Sequence, residues 1–495
     1  MSKIIIQNGN MCELDLPLKF AQKLYNEFAI RHPNAFYLRT RQRGMQNWDG
    51  KIHYITKTGQ FKIGLLPKVY DMCIEMGIKP KVVDTRQPLP KVSKVVTKIG
   101  KYKLRPEQEK AVKAVINNTI GGKPFHIGVL DYTVNAGKTL IMSSLYLSYK
   151  KQLKTLLITN DSDWLNQARE EFKQYLPGED ITFVQGKVLN WSNFTIGMVQ
   201  SISRNMRFYQ KELSQIDMVL IDEADQGGSR QYRNVITRLF NTRIRIGLSG
   251  TIYMSKLAKD KVKNMNLECF FGKVLAEFKL RDSIKKGYST KTVVKMVPGK
   301  PWYGNWESDC ISYKEIYDDS ITNSYTAWLM AYSRLRWNIN QGRYPALVVC
   351  KHIAHCENLY KFFKKKLGDA YNIAYVHVNT KSKLRQQIMK DFRDGKIDIL
   401  VSTTIIARGK NFPKLRYLLN AASMDSQEKS IQFLGRLVRT DKSKKKVYLD
   451  DLHYPGNYLD RHGKHRKQYY QRQELKVILL DKLWKKHPNH SLIQS

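Results

Sequence analysis

The chain has 495 residues, 42% of them apolar and 26% charged, which are globular proportions and exclude a mostly disordered polymer. Its 85 Lys and Arg against 43 Asp and Glu leave a formal charge of +42, a field that demands a polyanionic partner, nucleic acid first. No apolar run approaches the ~18 residues that cross a bilayer, the opening Met1-Ser-Lys-Ile-Ile-Ile-Gln-Asn shows no h-region or cleavage site, so that secretion is not expected, and the six cysteines form no CxxC pair. The expectation is therefore a cytoplasmic protein with reduced thiols, no membrane and no zinc (the host cytoplasm, were a phage its source).

Residues 1–90 read as a small α+β accessory module. A helix is expected over Leu18–Ile30, then strands near Tyr37–Arg41, Lys51–Thr56 and Phe61–Leu65. The first hundred residues hold seventeen Lys or Arg and seven Asp or Glu. Arg39, Arg41 and Arg43 are candidate phosphate contacts, or a solvated strand face. Trp48 either stacks on a base or packs as a core aromatic beside Gly50. The Lys- and Pro-rich stretch 81–103 reads as a linker.

From 91 to 296 short apolar runs alternate with helical patterns, and the same alternation returns from 297 to 495 after the Pro- and Gly-rich stretch 297–310. Buried strands of ~4–8 residues separated by helices of ~10–15 are the mark of parallel α/β sheets, here two in tandem. After about 452 a basic tail begins, with a final helix expected over Tyr469–Lys485. Lys464 and Arg466 are candidate nucleic-acid contacts there, packing of that helix on the second sheet is the alternative, and His462 and His465 read as solvated.

In the first sheet, Val129-Leu-Asp-Tyr-Thr-Val-Asn135-Ala136-Gly137-Lys138-Thr139 sits between an apolar strand and a helix expected over Leu140–Lys150. Backbone N–H groups of such a loop and its helix N-terminus cradle phosphates, the lysine reaches the terminal phosphates and the hydroxyl of Thr139 ligates Mg2+. Tyr132 stands where the full pattern has glycine. Met218-Val-Leu-Ile-Asp222-Glu223-Ala-Asp225 then ends an apolar strand in carboxylates. Asp222 is expected to hold Mg2+ and Glu223 to deprotonate the attacking water.

The order of these motifs resembles superfamily 2 helicases and translocases over about 104–452. Leu104-Arg105-Pro-Glu-Gln108 resembles the adenine-reading segment. Leu156-Leu-Ile-Thr-Asn-Asp-Ser-Asp-Trp-Leu-Asn-Gln167 resembles motif Ia, and Gly247-Leu-Ser249-Gly-Thr251 resembles motif III. Leu400-Val-Ser-Thr403-Thr-Ile-Ile-Ala-Arg408-Gly409-Lys-Asn411 resembles motif V, and Gln432-Phe-Leu-Gly435-Arg436-Leu-Val-Arg439 resembles motif VI. The resemblance implies ATP and Mg2+ as cofactors, bound by Arg105, Gln108, Asn135, Ala136, Gly137, Lys138, Thr139, Gly409 and Asn411. It implies catalysis by Lys138, Asp222, Glu223, Gln432, Arg436 and Arg439, the last two as arginine fingers, and nucleic-acid contacts by Gln167, Gln200, Thr403 and Arg408. Ala35-Phe through Trp48-Asp-Gly50, with Gly64-Leu-Leu-Pro, is similar to the phage UvsW type. That type implies remodelling of branched or forked DNA, single- and double-stranded DNA as ligands, phage recombination and replication proteins as partners and a monomer in solution. Three alternatives stay open: a DEAD-type RNA helicase, since Asp222-Glu-Ala-Asp225 spells that box, the motor subunit of a restriction-like complex, and a non-catalytic DNA-binding or annealing protein.

Overall fold

Runs of wholly buried aliphatic residues, such as Val129-Leu130 and Leu156-Leu157-Ile158, have no polar side of their own and need cover on both faces. The computed structural model places them in sheets. It describes residues 2–41, 45–92, 94–149, 152–186, 188–253, 260–299, 312–407 and 412–480. The chain divides into two units, Met1–Phe278 and Lys279–Ser495. The first contains an eight-stranded sheet, in the spatial order Val188–Leu189, Ile181–Gln185, Phe194–Met198, Thr155–Thr159, Met218–Asp222, Ile244–Ser249, His126–Tyr132 and Val274–Phe278. All neighbours are parallel except the short outermost strand. The second contains a seven-stranded, wholly parallel sheet: Ile373–Val376, Ile399–Thr403, Ala346–Cys350, Tyr417–Asn420, Lys446–His453, Lys291–Pro298 and Val477–Leu479. Tandem RecA-like α/β domains, as expected, are what the chain builds.

The strand Lys291–Pro298 pairs with Lys446–His453 along its whole length, so the expected boundary at 296/297 runs through a strand of the second sheet. Pro298 is its last residue; Gly299 N–H donates to the His453 carbonyl, so the N–H that proline lacks would face the other side, where Val477–Leu479 pairs only as far as Met296. The final helix is Asn457–Arg472, and the chain re-enters the sheet as Val477–Leu479, so a helix over Tyr469–Lys485 does not form.

The N-terminal module is a four-stranded sheet, Gln60–Lys62, Met11–Asp15, Lys3–Ile6 and Lys81–Asp84, carrying helices Leu18–Glu27 and Leu66–Glu75. Lys81–Asp84 pairs in parallel with Lys3–Ile6, so the start of the expected linker belongs to this sheet. Ala35–Arg41 is a helix, not the strand its aromatic residues suggested. Local bonds override β-propensity there: Ala35 N–H donates to the His32 carbonyl, Leu38 N–H to that of Asn34, and Thr40 Oγ1 to that of Phe36.

This module is joined to the first motor sheet by buried polar contacts. Arg245, fully buried on the strand Ile244–Ser249, donates to the Gly9 carbonyl (2.7 Å), Asn10 Oδ1 (2.8 Å) and the Phe270 carbonyl (3.2 Å). Gly9 N–H donates to the Phe240 carbonyl at 2.6 Å. Gly64 lies against the backbone of Glu268 and Cys269 so closely that no Cβ fits. The module's core includes Phe125, Ile127 and Cys269 from the motor domain.

Candidate active site

Three neighbouring strands of the first sheet bring the predicted site together at their C-terminal ends. His126–Tyr132 leads into the phosphate loop, Met218–Asp222 ends in the acidic pair, and Ile244–Ser249 lies between them. The loop turns through left-handed backbone at Asn135 (φ 63°) and Gly137 (φ 71°), and the helix Lys138–Ser148 starts there. Glycine suits the second position twice over, because a Cβ would also strike the Gln108 amide. Tyr132 does not face the loop. Its side chain is buried and its hydroxyl donates to the Glu107 carbonyl at 2.6 Å. Gly250 packs under the loop, where a Cβ would stand 3.0 Å from Thr133 Cα.

Arg105 and Gln108 brace this loop. Gln108 Nε2 donates to the Ala136 carbonyl at 2.8 Å, and Arg105 Nη1 donates to the Asn135 carbonyl at 3.2 Å. The Arg105 N–H in turn donates to Gln108 Oε1 at 2.8 Å. Both residues therefore lie against the phosphate loop, and the Gln108 amide that the sequence assigned to reading adenine is bonded at both ends within the protein.

The acidic pair is strongly perturbed. Burial raises the Asp222 carboxyl above the usual carboxylate range, while the Lys138 charge pulls it down. Glu223, in left-handed backbone (φ 52°), is pushed up to about 8, first by burial and then by the charges of Asp222 and Asp225, again opposed by Lys138. A carboxyl held near neutrality suits a proton acceptor. Asp222 Oδ1 is buried and has no hydrogen-bond partner. Such an orphaned carboxylate oxygen fits a hard divalent cation such as Mg2+, and Thr139, the other expected ligand, is half-buried in the first turn of the helix Lys138–Ser148. Ser249 Oγ donates to Asp225 Oδ1 at 2.7 Å and lies 3.1 Å from Thr251 Oγ1, which ties motif III to the acidic segment.

Of the remaining predicted residues of this unit, Gln167 and Gln200 lie on helices that follow the strands Thr155–Thr159 and Phe194–Met198, while Arg39, Arg41 and Trp48 belong to the N-terminal module. Gln200 Nε2 donates to the Asn160 carbonyl at 3.3 Å, whereas Gln167 is exposed on the helix Ser162–Tyr175 and bonds Glu171 Oε1 at 2.5 Å. Arg39 and Arg41 are exposed on the helix Ala35–Arg41, the Arg41 guanidinium 5.0 Å from the Tyr37 ring centre. Trp48 is half-buried, and its Nε1 donates to the Lys51 carbonyl at 2.8 Å. Arg43 lies outside the described residues.

In the second unit Thr403 ends the strand Ile399–Thr403. Gln432 and Arg436 are half-buried on the helix Gln427–Leu437, and Arg439 follows it, its carbonyl accepting from Thr290 Oγ1 at 3.1 Å. Arg408, Gly409 and Asn411 lie outside the described residues. Lys444, which sequence reasoning passed over, is buried and donates to the Leu437 and Leu415 carbonyls at 3.0 Å, closing the C-terminus of the motif VI helix.

Arg466 is a correction. It is not a nucleic-acid contact but a fully buried ion pair, 2.8 Å from Asp451, donating also to the Met424 and Leu452 carbonyls. Tyr470 (2.7 Å) and Asn420 (2.8 Å) complete the bonds to Asp451. His462 and His465 are not solvated either: both face Asp425, His465 Nδ1 at 2.8 Å. Lys464 is exposed and pairs with Asp460 at 2.5 Å.

Family models match two stretches of the chain. Residues 101–254 match the type III restriction enzyme, res subunit, and residues 331–441 match the helicase conserved C-terminal domain. The chain belongs to the superfamily 2 helicases. A helicase-named protein of the Sulfolobus islandicus filamentous virus is 23% identical over 71% of this chain and 64% of its own length, so the chain spans less than two thirds of it. Among solved structures, Dbp5 of S. cerevisiae, bound to RNA and ADP BeF3, is 14% identical over 78% of this superfamily 2 chain and 92% of its own, with a TM-score of 0.52. UvsW of bacteriophage T4 is 18% identical over 97% and 98%, with a TM-score of 0.44.

Proposed function

We propose that the chain is an ATP-dependent DNA helicase or translocase that remodels branched DNA: branch migration, fork regression and unwinding of D- or R-loops. The observation that carries the motor reading is the pair of buried Asp222 and half-buried Glu223 at a strand end, both carboxyls within the field of Lys138. Lys138 would pair with the terminal phosphates, Thr139 and Asp222 would hold Mg2+, and Glu223 would take the proton of the attacking water. Bound Mg2+ would neutralise charge on the phosphates and orient them. Arg436 and Arg439 are the proposed arginine fingers, with Gln432 beside them. Hydrolysis would alternate the grip of motif Ia (Gln167), Gln200 and motif V (Thr403, Arg408) on one strand.

DNA is favoured over RNA by motif VI, where Gln432 and Phe433 precede Gly435-Arg436 and depart from the His-Arg form of DEAD-box proteins. The basic helix of the N-terminal module, with Arg39 and Arg41 exposed, supports a grip on phosphates outside the motor. Steady-state ATPase with linear duplex, single strand, four-way junction and single-stranded RNA tests the reading. Stimulation highest with the junction supports it, and stimulation by RNA alone replaces it with an RNA helicase. No stimulation by any of them leaves a binding protein.

A further inference from the structure

Strand alternation divides two adjacent carboxylates of the second sheet between its faces. Asp451 points to the helix Asn457–Arg472, where Arg466 receives it. Asp450 points to the helix Tyr325–Ile339, where Arg334 (2.7 Å), Asn338 (3.1 Å) and the Tyr417 hydroxyl (3.1 Å) surround it. On that second face, away from the tail helix, cations gather. Lys295 Nζ (4.6 Å), the Arg343 guanidinium (4.8 Å) and that of Arg334 (5.0 Å) all contact the Trp337 ring, which is 38% exposed. Arg343 also lies 3.6 Å from the centre of the Tyr448 ring. Lys291 and Lys446 are direct cross-strand partners, both exposed.

Like charges placed opposite one another across a ladder destabilise a sheet. Five cations share this face with Asp450, which is itself buried and surrounded. The Lys295 ammonium records the crowding: burial lowers its pKa, and Arg334, Arg343 and Lys446 lower it further, with Asp450 opposing. The aromatic rings hold the guanidinium groups in fixed directions. From Lys291 to Lys295 the strand advances roughly 13 Å, the axial length of about four phosphates of one DNA strand.

We propose that this surface is a second nucleic-acid contact, which takes the phosphate backbone of a duplex arm that the motor motifs do not grip. The proposal rests on the branched-DNA reading, since a linear track offers the motor no second arm. A duplex is favoured over an acidic peptide because the cations spread over two strands and a helix as a two-dimensional array rather than lining a groove.

The test is the full-length double variant Lys291→Ala/Lys446→Ala, with Trp337→Ala as a second variant that disturbs the array without removing charge. Binding of a four-way junction, of a linear duplex and of a single strand is titrated against salt. For the double variant the slope of log affinity against log salt should fall by about 1.8 for the junction, and affinity by roughly ten- to hundredfold at ~0.1 M salt. Single-strand binding and single-strand-stimulated ATPase should stay as in the parent. An unchanged junction slope overturns the proposal. So does loss of oligoglutamate binding with an unchanged junction slope, which identifies an acidic protein as the occupant. A parent chain that shows no preference for the junction sinks the branched-DNA reading instead, and the duplex titration still judges the surface.

Discussion

Replacing Arg466 by Met separates a structural role from a DNA contact. The side chain is fully buried, holds Asp451 at 2.8 Å and donates to two carbonyls. Methionine keeps much of the volume but abandons Asp451, which would retain Tyr470 and Asn420 as donors and lose its counter-charge. Removing one partner of a buried pair costs about 3–5 kcal/mol. For a unit of about 200 residues that corresponds to a fall in Tm of roughly 6–20 °C. Adding Asp451→Asn removes the stranded charge, keeps an acceptor for Tyr470 and should regain about half of the loss. Thermal unfolding of the full chain followed by tryptophan fluorescence reads the stability, and single-strand binding at ~10 °C reads the DNA contact. Arg466→Met should bind DNA like the parent wherever it is folded. A variant that melts within about 2 °C of the parent yet loses DNA affinity would refute this account and restore Arg466 to the interface.

Lys138→Ala should abolish ATP hydrolysis while salt-sensitive DNA binding survives, as measured by ATPase and filter binding on the same preparation. Arg436→Ala should spare nucleotide binding and cost on the order of 10³ in turnover, whereas a loss below tenfold would place the finger elsewhere. Arg245→Met should leave the Gly9, Asn10 and Phe270 acceptors unpaired. Unpaired buried acceptors cost about 1–3 kcal/mol each, part of it offset by no longer burying a charge, so a total loss below ~1 kcal/mol would contradict the joint described here. Burial lowers the His355 imidazole to about 3, beside the Tyr317 hydroxyl. Its folded pKa lies below the unfolded value, so this stability is complete above pH ~6.5 and falls at about 1.4 kcal/mol per pH unit as pH drops toward 3. Urea titrations at pH 7.5 and 5.5 should show that loss, and His355→Gln should flatten it.

The parallel sheets and the phosphate site were legible because buried runs and backbone loops are local: Val129–Thr139 and Met218–Asp222 carry their own strand, turn and charge. What escaped depends on distant partners. Arg466 stands among exposed basic residues in the sequence, and the only signal of its burial was the unusual Asp450-Asp451 pair inside a strand, since two buried carboxylates require donors. Lys444 looked like one more member of a lysine run, although its place at the end of the motif VI helix makes it a cap. The boundary at 297 followed Pro298 and Gly299, but this proline lies beyond the stretch Val294–Met296 that pairs with Val477–Leu479, so its missing N–H breaks no ladder bond. Tyr37–Arg41 carried strand propensity that the His32 and Asn34 carbonyls overrode.

The joint at Arg245 also sets an order of events during synthesis. The first eighty residues carry most of their own sheet, but part of their core comes from Phe125, Ile127 and Cys269, and the Gly9–Asn10 turn is received by residues between 237 and 270. At ~5–20 residues per second the ribosome needs roughly 10–40 s to deliver those partners after the module has emerged. During that interval the module waits with an apolar face uncovered. A truncation that ends before residue 125 makes the wait permanent, and one that begins after residue 90 leaves Arg245 with a charge and no turn to receive it.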